Sequence, residues 1–521
     1  MRIDGRDHNR HSPVTWHTGP FRLAAALMLS IGTVGAVLSG NPDGENRTQS
    51  IDAFRRRGSA SEAPVFEPYD YEYEGRRVHA ELGRLSVPER HSNPRSRTIR
   101  LAFLRLKSTA PDPGPPIVYL AGGPGGSGIA LAKGPRGSLF LRMREAGDVI
   151  VLDQRGAGLS EPNLNCPGSL NFPLNRPGDR EPMLKRFEQA SRGCAHFWRE
   201  RHVDLPAYNV VENAHDIDSL RRALGAQKVI LWGSSYGTHL ALAILRHHGG
   251  GVLRAVLSGV EGPDHTLKMP RTVDEQFAAI TRLVGDDPVL SRRVPDFAEL
   301  VRRVLEAAER RPFTIQVTEM ASGEQMTVVL GRFDLEQAIV GMIGTRGGIA
   351  LLPSTMLAFD RHEVSSPFVQ QVGRDMITMR TGSIGSAMSY AMDCASSASK
   401  QRLAAIAREM RTATIGHLDF PISEVCSAWD VPPLPSRERS LVRSVVPVLF
   451  MSGTLDARTP PRNAEEVRRG FPNSRHILIQ GAGHGNDLFV SAPEIYNATL
   501  EFIRTGNASI NRIELPRLQF Q

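Results

Sequence analysis

The sequence predicts an α/β protein, a mostly parallel central sheet interrupted by an inserted, mainly helical domain. Three observations lead there. The stretch Lys228 to His248, KVILWGSSYGTHLALAILRHH, is a short apolar run, then Gly233-Ser234-Ser235-Tyr236-Gly237, then an apolar-rich segment at helical spacing, which is the order strand, sharp turn, helix. Apolar strands alternate with helices from about Pro116 to Ser258, the pattern of a parallel sheet covered on both faces. The alternation stops near Pro263 and returns at Val446.

The 521 residues have room for one large domain with an insertion, or for two or three smaller ones. A hydrophobic content of 40% is that of a globular chain. The net charge of +8 is scattered among acids rather than massed, so it makes a soluble basic surface and points to no nucleic-acid partner. From the N-terminus, Leu23 to Leu38 is apolar and uncharged behind a polar leader ending in Arg22, the layout of a secretory signal. Val37 and Ser39 flank a candidate cleavage point after Ser39, and an uncleaved membrane anchor is the competing reading. Residues 1–40 are therefore a signal peptide or anchor, and the expected location is secreted, periplasmic or cell envelope. Residues 41–64, rich in Gly, Ser, Asn and Arg, read as a linker.

The first part of the core is expected over 65–262. Its strands lie around Val78 to Leu82, Gly83 to Val87, Thr98 to Lys107, Pro116 to Leu120, Asp148 to Leu152 and Leu253 to Ser258, with helices at about Glu181 to Arg201 and Glu212 to Leu224. The insertion, 263–437, reads as helices that include Val273 to Leu283, Asp296 to Arg310 and Lys400 to Arg411. One hairpin interrupts them, Phe313 to Thr318 and Gln325 to Leu330 around Ser322-Gly323. The core resumes over 438–521 with strands Val446 to Met451 and Arg475 to Ile479 and helices near Arg462 to Gly470 and Ala492 to Arg504.

The turn at 233–237 fits G-x-S-x-G, in which the central Ser sits strained at the tip of a strand-to-helix elbow. Ser235 is the candidate nucleophile. A Ser hydroxyl needs a base, and the base needs an orienting acid. In an α/β-hydrolase the acid and then the His follow the Ser, each on a loop after a strand. Asp456 and His484 occupy those places, in Gly453-Thr454-Leu455-Asp456 and Gly481-Ala482-Gly483-His484-Gly485. Backbone N–H groups of Tyr236 and of Gly123, in the Gly-rich loop after Leu120, are the expected oxyanion donors. No G-K-[ST] follows that loop, so it is not read as a nucleotide cradle. Asp153 and Arg155 are expected to shape the neighbouring loops. Cys166, Cys194, Cys394 and Cys426 are an even set without zinc-ligand spacing, so no metal is expected. Two disulfides follow if the chain is exported, sequence proximity pairing Cys166 with Cys194 and Cys394 with Cys426; four free thiols follow if it is not.

The ordered set GGPGG at Gly122, DQRGAGLS at Asp153, GSSYG at Gly233, the GTLDARTP turn and GAGH resembles the proline iminopeptidase and tripeptidyl aminopeptidase family of α/β-hydrolases. The run Glu161 to Cys166, and Cys426 shortly before Trp429, resemble its secreted, tripeptidyl-type branch. Two positions depart from the pattern: Ala121 stands where many relatives carry His, and Ala395-Ser396 follow Cys394 where some carry an acid. The resemblance implies a serine aminopeptidase acting on peptides with a free N-terminus, without metal or cofactor. Such an enzyme needs carboxylates for the substrate ammonium, and Glu261 and Asp393 are the candidates. A carboxylesterase using the same triad, and a non-catalytic binding protein on this scaffold, are the alternatives.

Overall fold

The computed structural model describes residues 63–318 and 323–521. The expected signal or anchor at 1–40, nearly all of the 41–64 linker and Ser322 of the hairpin turn lie outside the described residues. No described helix is long and apolar enough to cross a membrane.

Strands β1 (Val65–Tyr73), β2 (Arg76–Pro88), β3 (Thr98–Leu106), β4 (Gly114–Leu120), β5 (Gly147–Asp153), β6 (Val229–Ser234) and β7 (Val252–Ser258) precede the insertion. Inside it lie β8 (Phe313–Thr318) and β9 (Gln325–Leu330); after it come β10 (Val448–Gly453), β11 (Ser474–Gln480) and β12 (Arg512–Glu514). The main sheet runs β1-β2-β3-β5-β4-β6-β7-β10-β11-β12. Pairing is antiparallel from β1 through β5 and parallel from β5 onward. The two short strands expected at Val78 to Leu82 and Gly83 to Val87 are one continuous strand, β2. Gly83 separates them in sequence, but the ring of Phe103 covers it from β3, so the glycine is a packing site and not a turn.

Alternate residues of each central strand enter opposite cores. Val118, Leu120, Leu231, Leu257 and Phe450 face one side, with the helices Arg180–Arg199, Val210–Ala223 and Tyr236–His248. Tyr119, Trp232, Val256 and Met451 face the other, with Gly128–Ala132, Gly137–Met143 and Pro493–Thr505. Burial on both faces is what turns these strands into unbroken apolar runs. Burying each such side chain contributes roughly 1.5–3 kcal/mol.

Between β7 and β10 the chain builds helices at Arg271–Gly285, Phe297–Arg310, Arg332–Met342, Arg346–Asp360, Pro367–Thr381, Ala387–Ser396 and Lys400–Glu409. Most of them pack on a core of their own around Phe277, Phe297, Leu335 and Met356. The helix Ala387–Ser396 does not. Its Ala387, Met388, Ala391 and Met392 join the sheet-side core, as do Phe420 and Trp429. The disulfide Cys394–Cys426 fastens Ala387–Ser396 to the helix Cys426–Trp429, and Cys166–Cys194 ties the segment after β5 to the helix Arg180–Arg199.

Candidate active site

Ser235 stands between the end of β6 and the helix Tyr236–His248 with φ 53° and ψ −122°. That backbone is costly for an L-residue and is held from three sides. Its N–H donates to Ser258 O at 3.0 Å, and its carbonyl accepts from the N–H and the hydroxyl of Thr238, each at 2.7 Å. The flanking glycines allow the close approach. A Cβ on Gly233 would lie 2.7 Å from Gly237 O, and one on Gly237 would lie 2.0 Å from Leu120 O. Gly237→Ala is accordingly expected to destabilise the protein by about 3 kcal/mol, a clash between main-chain elements that no rotamer relieves. Urea unfolding monitored by tryptophan fluorescence measures it.

The three triad candidates converge. His484 Nε2 lies 3.0 Å from Ser235 Oγ, and its Nδ1 lies 2.8 Å from Asp456 Oδ2. Asp456 is almost wholly buried and also accepts from Arg458 N–H at 2.9 Å, Thr459 N–H at 2.8 Å and the Thr459 hydroxyl at 2.6 Å. Burial pushes this carboxyl up, but the His484 imidazole and the Thr459 hydrogen bonds outweigh it and hold the group below the usual carboxylate range. A carboxylate that stays ionised there fixes the imidazole with its Nδ1–H toward Asp456 and its Nε2 free toward Ser235. The His484 N–H itself donates to Gly344 O, in the insertion, at 2.9 Å. Nearby Asp487 Oδ2 accepts from Gly483 N–H at 3.0 Å and from Arg346 N–H at 2.7 Å.

The Gly-rich loop lies against this elbow. A Cβ on Gly122 would sit 3.0 Å from Ser235 Cβ, and Gly123 adopts φ 126°, a conformation that favours glycine. Helix Ala387–Ser396 closes the loop from above, Ser389 Oγ donating to Pro124 O at 2.8 Å. Asp153 accepts from Ser127 Oγ at 2.7 Å, Ile129 N–H at 3.0 Å and Leu159 N–H at 2.8 Å. Arg155 is fully buried, pairs both nitrogens of one edge with Asp216 at 2.7 Å and caps Ala207 O at 2.8 Å.

Glu261 and Asp393 are both buried and belong to one cluster. Lys268 Nζ donates to Glu261 Oε2 at 2.6 Å and to His265 O and Thr266 O at 3.1 Å each, while its N–H donates to Asp419 Oδ2 at 2.6 Å. The ammonium thus binds Glu261 alone among the three carboxyls, while Asp419 is held by the Lys268 main chain. Asp393 is 7% exposed, and its carboxyl has no hydrogen-bond donor or ion-pair partner among the described residues. Burial, reinforced by Glu261, pushes its carboxyl well up. Asp419 is raised as well, by burial. A small crevice with room for about one water is lined by Lys268, Asp419, Ala457 and Arg458 beside Leu418, Val340 and Ile343. It lies between this cluster and the Asp456 loop.

Sequence reasoning missed Thr459, Lys268 and Asp419. Thr459 carries a signal, an Asp followed three residues on by a Thr in a turn. Lys268 and Asp419 carry none, being single charges in irregular segments. Among the described residues no group of His, Cys, Asp and Glu is arranged to hold a metal ion.

Residues 115–318 match the family described as alpha/beta hydrolase fold, and 416–511 match the family described as TAP-like protein. Serine protease Hip1 of Mycobacterium tuberculosis is 30% identical over 194 residues, 35% of this chain and 36% of that protein. Tripeptidyl aminopeptidase of Streptomyces coelicolor is 29% identical over 192 residues, 35% of each chain. These two matches span about a third of the relatives' own length. Putative hydrolase YuaR of Escherichia coli is 23% identical over 434 residues, covering 77% of this chain and 81% of that protein.

Proposed function

We propose that the chain is an exported serine aminopeptidase of the proline iminopeptidase and tripeptidyl aminopeptidase family of α/β-hydrolases. It removes a short peptide or a single residue from the free N-terminus of a peptide substrate. The observation that carries the reading is the hydrogen-bonded line Ser235–His484–Asp456, at 3.0 and 2.8 Å.

Ser235 Oγ attacks the scissile carbonyl carbon as its proton passes to His484 Nε2. The carbonyl oxygen becomes an oxyanion held by the N–H groups of Gly123 and Tyr236. Asp456, ionised, stabilises the imidazolium. The tetrahedral species then collapses, His484 gives the proton to the departing amine, and the N-terminal fragment stays on Ser235 as an ester. Water attacks that ester, loses its proton to His484, and Ser235 leaves with the proton restored.

Asp393 supports the free-amine specificity. A nearly buried carboxyl without a donor is unfavourable alone and becomes favourable when a cation enters. Glu261 is already engaged by Lys268, so Asp393 takes the substrate ammonium, with Glu261 and Asp419 contributing field from behind. The segment 263–437 acts as a cap, since it supplies both Asp393 and Asp419. Two disulfides, together with the apolar run Leu23 to Leu38, support export.

The test is hydrolysis of matched tripeptide anilides, free and acetylated at the N-terminus, beside a short-chain ester. The free-amine anilide is expected to turn over about 100-fold faster than the acetylated one, the scale of leaving a buried charge unpaired. An ester and a blocked peptide cleaved as fast or faster would replace this reading with a general acyl hydrolase.

A further inference from the structure

Gln154 lies between Asp153 and Arg155, is fully buried, and has both ends of its amide engaged. Nε2 donates to Ala121 O at 2.9 Å, and Oε1 accepts from Asn213 Nδ2 at 2.8 Å. Ala121 O belongs to the peptide that leads into Gly122-Gly123, and a Cβ on Gly237 would fall 3.0 Å from it, so this carbonyl also faces the first turn of the nucleophile helix. Asn213 sits on the helix Val210–Ala223 and is itself fully buried.

The other half of the arrangement consists of two orphans. Asn213 Oδ1 and Tyr236 Oη are both buried and have no hydrogen-bond partner. They are nonetheless neighbours, since the Asn213 amide offsets part of the burial penalty on the Tyr236 hydroxyl. An amide offsets that penalty through its N–H, so it is Asn213 Nδ2, already bound to Gln154 Oε1, that lies toward the Tyr236 hydroxyl. A single line of side chains therefore runs from Ala121 through Gln154 and Asn213 to Tyr236. Its two ends are the residue beside the Gly122-Gly123 peptide and the residue that follows Ser235.

We propose that Gln154 and Asn213 are positioning residues that set the spacing between the Gly123 and Tyr236 N–H groups and so preorganise the oxyanion hole. The proposal rests on the donor roles given to those two residues above. Oxyanion stabilisation depends on donors fixed before charge develops, at 2.7–3.1 Å from where the oxygen will lie. The loop has little rigidity of its own, because Gly122, Gly123, Gly125 and Gly126 offer wide backbone freedom, and Gly123 and Gly125 sit at φ 126° and 91°. A planar amide with a donor at one end and an acceptor at the other selects one arrangement. Glutamate cannot substitute, since it would turn an acceptor toward the Ala121 carbonyl.

The variants are Gln154→Glu and Asn213→Ala, studied in the full chain. Each is expected to lower kcat by about 10- to 100-fold, the scale of a disturbed oxyanion donor, with KM within about twofold of the parent. The readout that separates positioning from general loosening is binding of two probes. Affinity for a free-amine tripeptide boronic acid, which forms a tetrahedral adduct on Ser235, should fall in step with kcat/KM. Affinity of the uncleaved free-amine tripeptide anilide, measured in a Ser235→Ala background, should not move. Gln154→Asn, which keeps the amide but shortens its reach, should lie between Gln154→Glu and the parent. Folded variants with unchanged kcat, or with both probes weakened equally, would overturn the proposal. Should Gln154→Glu not fold, Asn213→Ala carries the test, as it removes the bridge without burying a charge. If the parent cleaves only esters, the aminopeptidase reading fails while the relay is still judged from kcat on the ester and from a simple alkyl boronic acid.

Discussion

Ser235→Ala is expected to lower kcat by about 10⁶-fold, equivalent to ~8 kcal/mol of transition-state stabilisation, while the protein keeps near-parental thermal stability. The separation of the two effects follows from the elbow. The strained backbone at φ 53° is held by main-chain bonds from Ser258 and to Thr238, none of which uses the Ser235 hydroxyl. Alanine has the same backbone preferences there as serine, so the strain is unchanged. What disappears is the one atom within reach of His484 Nε2. Single-turnover kinetics with the free-amine anilide, beside differential scanning calorimetry, measures both quantities. Retained turnover would remove Ser235 from the mechanism, and a collapse of Tm would make the loss uninformative about chemistry.

Asp393→Asn carries the second large effect. It is expected to cut kcat/KM for free-amine peptides by about 100-fold, because the substrate ammonium would enter a closed site without its counter-charge. Acetylated peptides should be nearly unaffected, so the free-to-acetylated ratio collapses toward unity. Stability should move the opposite way. Burial raises the folded-state pKa of Asp393 above its unfolded value, so the native protein holds this proton more tightly than the unfolded chain. The contribution is fully present below the unfolded carboxyl pKa, about 4, and is lost as pH rises through the folded value. Asparagine is neutral throughout, so the variant should be more heat-resistant than the parent at neutral pH, with the difference vanishing in acid. A parent-like free-to-acetylated ratio would assign the ammonium to another group.

The fold was legible wherever burial dictated a run of residue types. β6, β7 and β10 are apolar because both their faces are covered, and the elbow between β6 and its helix announces itself through two glycines that main-chain contacts demand. The hairpin β8–β9 alternates because one of its faces lies on the insertion's core, where Phe313, Ile315, Val317, Val328 and Leu330 are buried. β1 and β12 escaped notice as edge strands, where mixed polarity such as VFEPYDYEY gives no periodicity. The helix Arg346–Asp360 contains Pro353, a residue that ordinarily argues against a helix interior. In the site, Ser235, Asp456 and His484 stood in motifs with fixed local geometry. Asp393 could be suspected from the charge a free N-terminus brings, but its partners could not. Lys268 and Asp419 meet it through tertiary placement alone, and Gln154 hides between two residues that look more consequential.

The seat of His484 has a consequence for how such a protein changes over generations. Its main-chain N–H rests on Gly344 O, Asp487 beside it is bound by the Arg346 N–H, and the Arg346 guanidinium reaches Gly481 O at 2.7 Å and Pro516 O. The inserted segment therefore holds the loop that carries the imidazole. A lineage that rebuilt this segment to admit a different substrate would retune the rate of chemistry in the same stroke. A foreign segment grafted onto this sheet would arrive without the carbonyl on which the base sits. Selectivity and catalytic competence are inherited here as one trait.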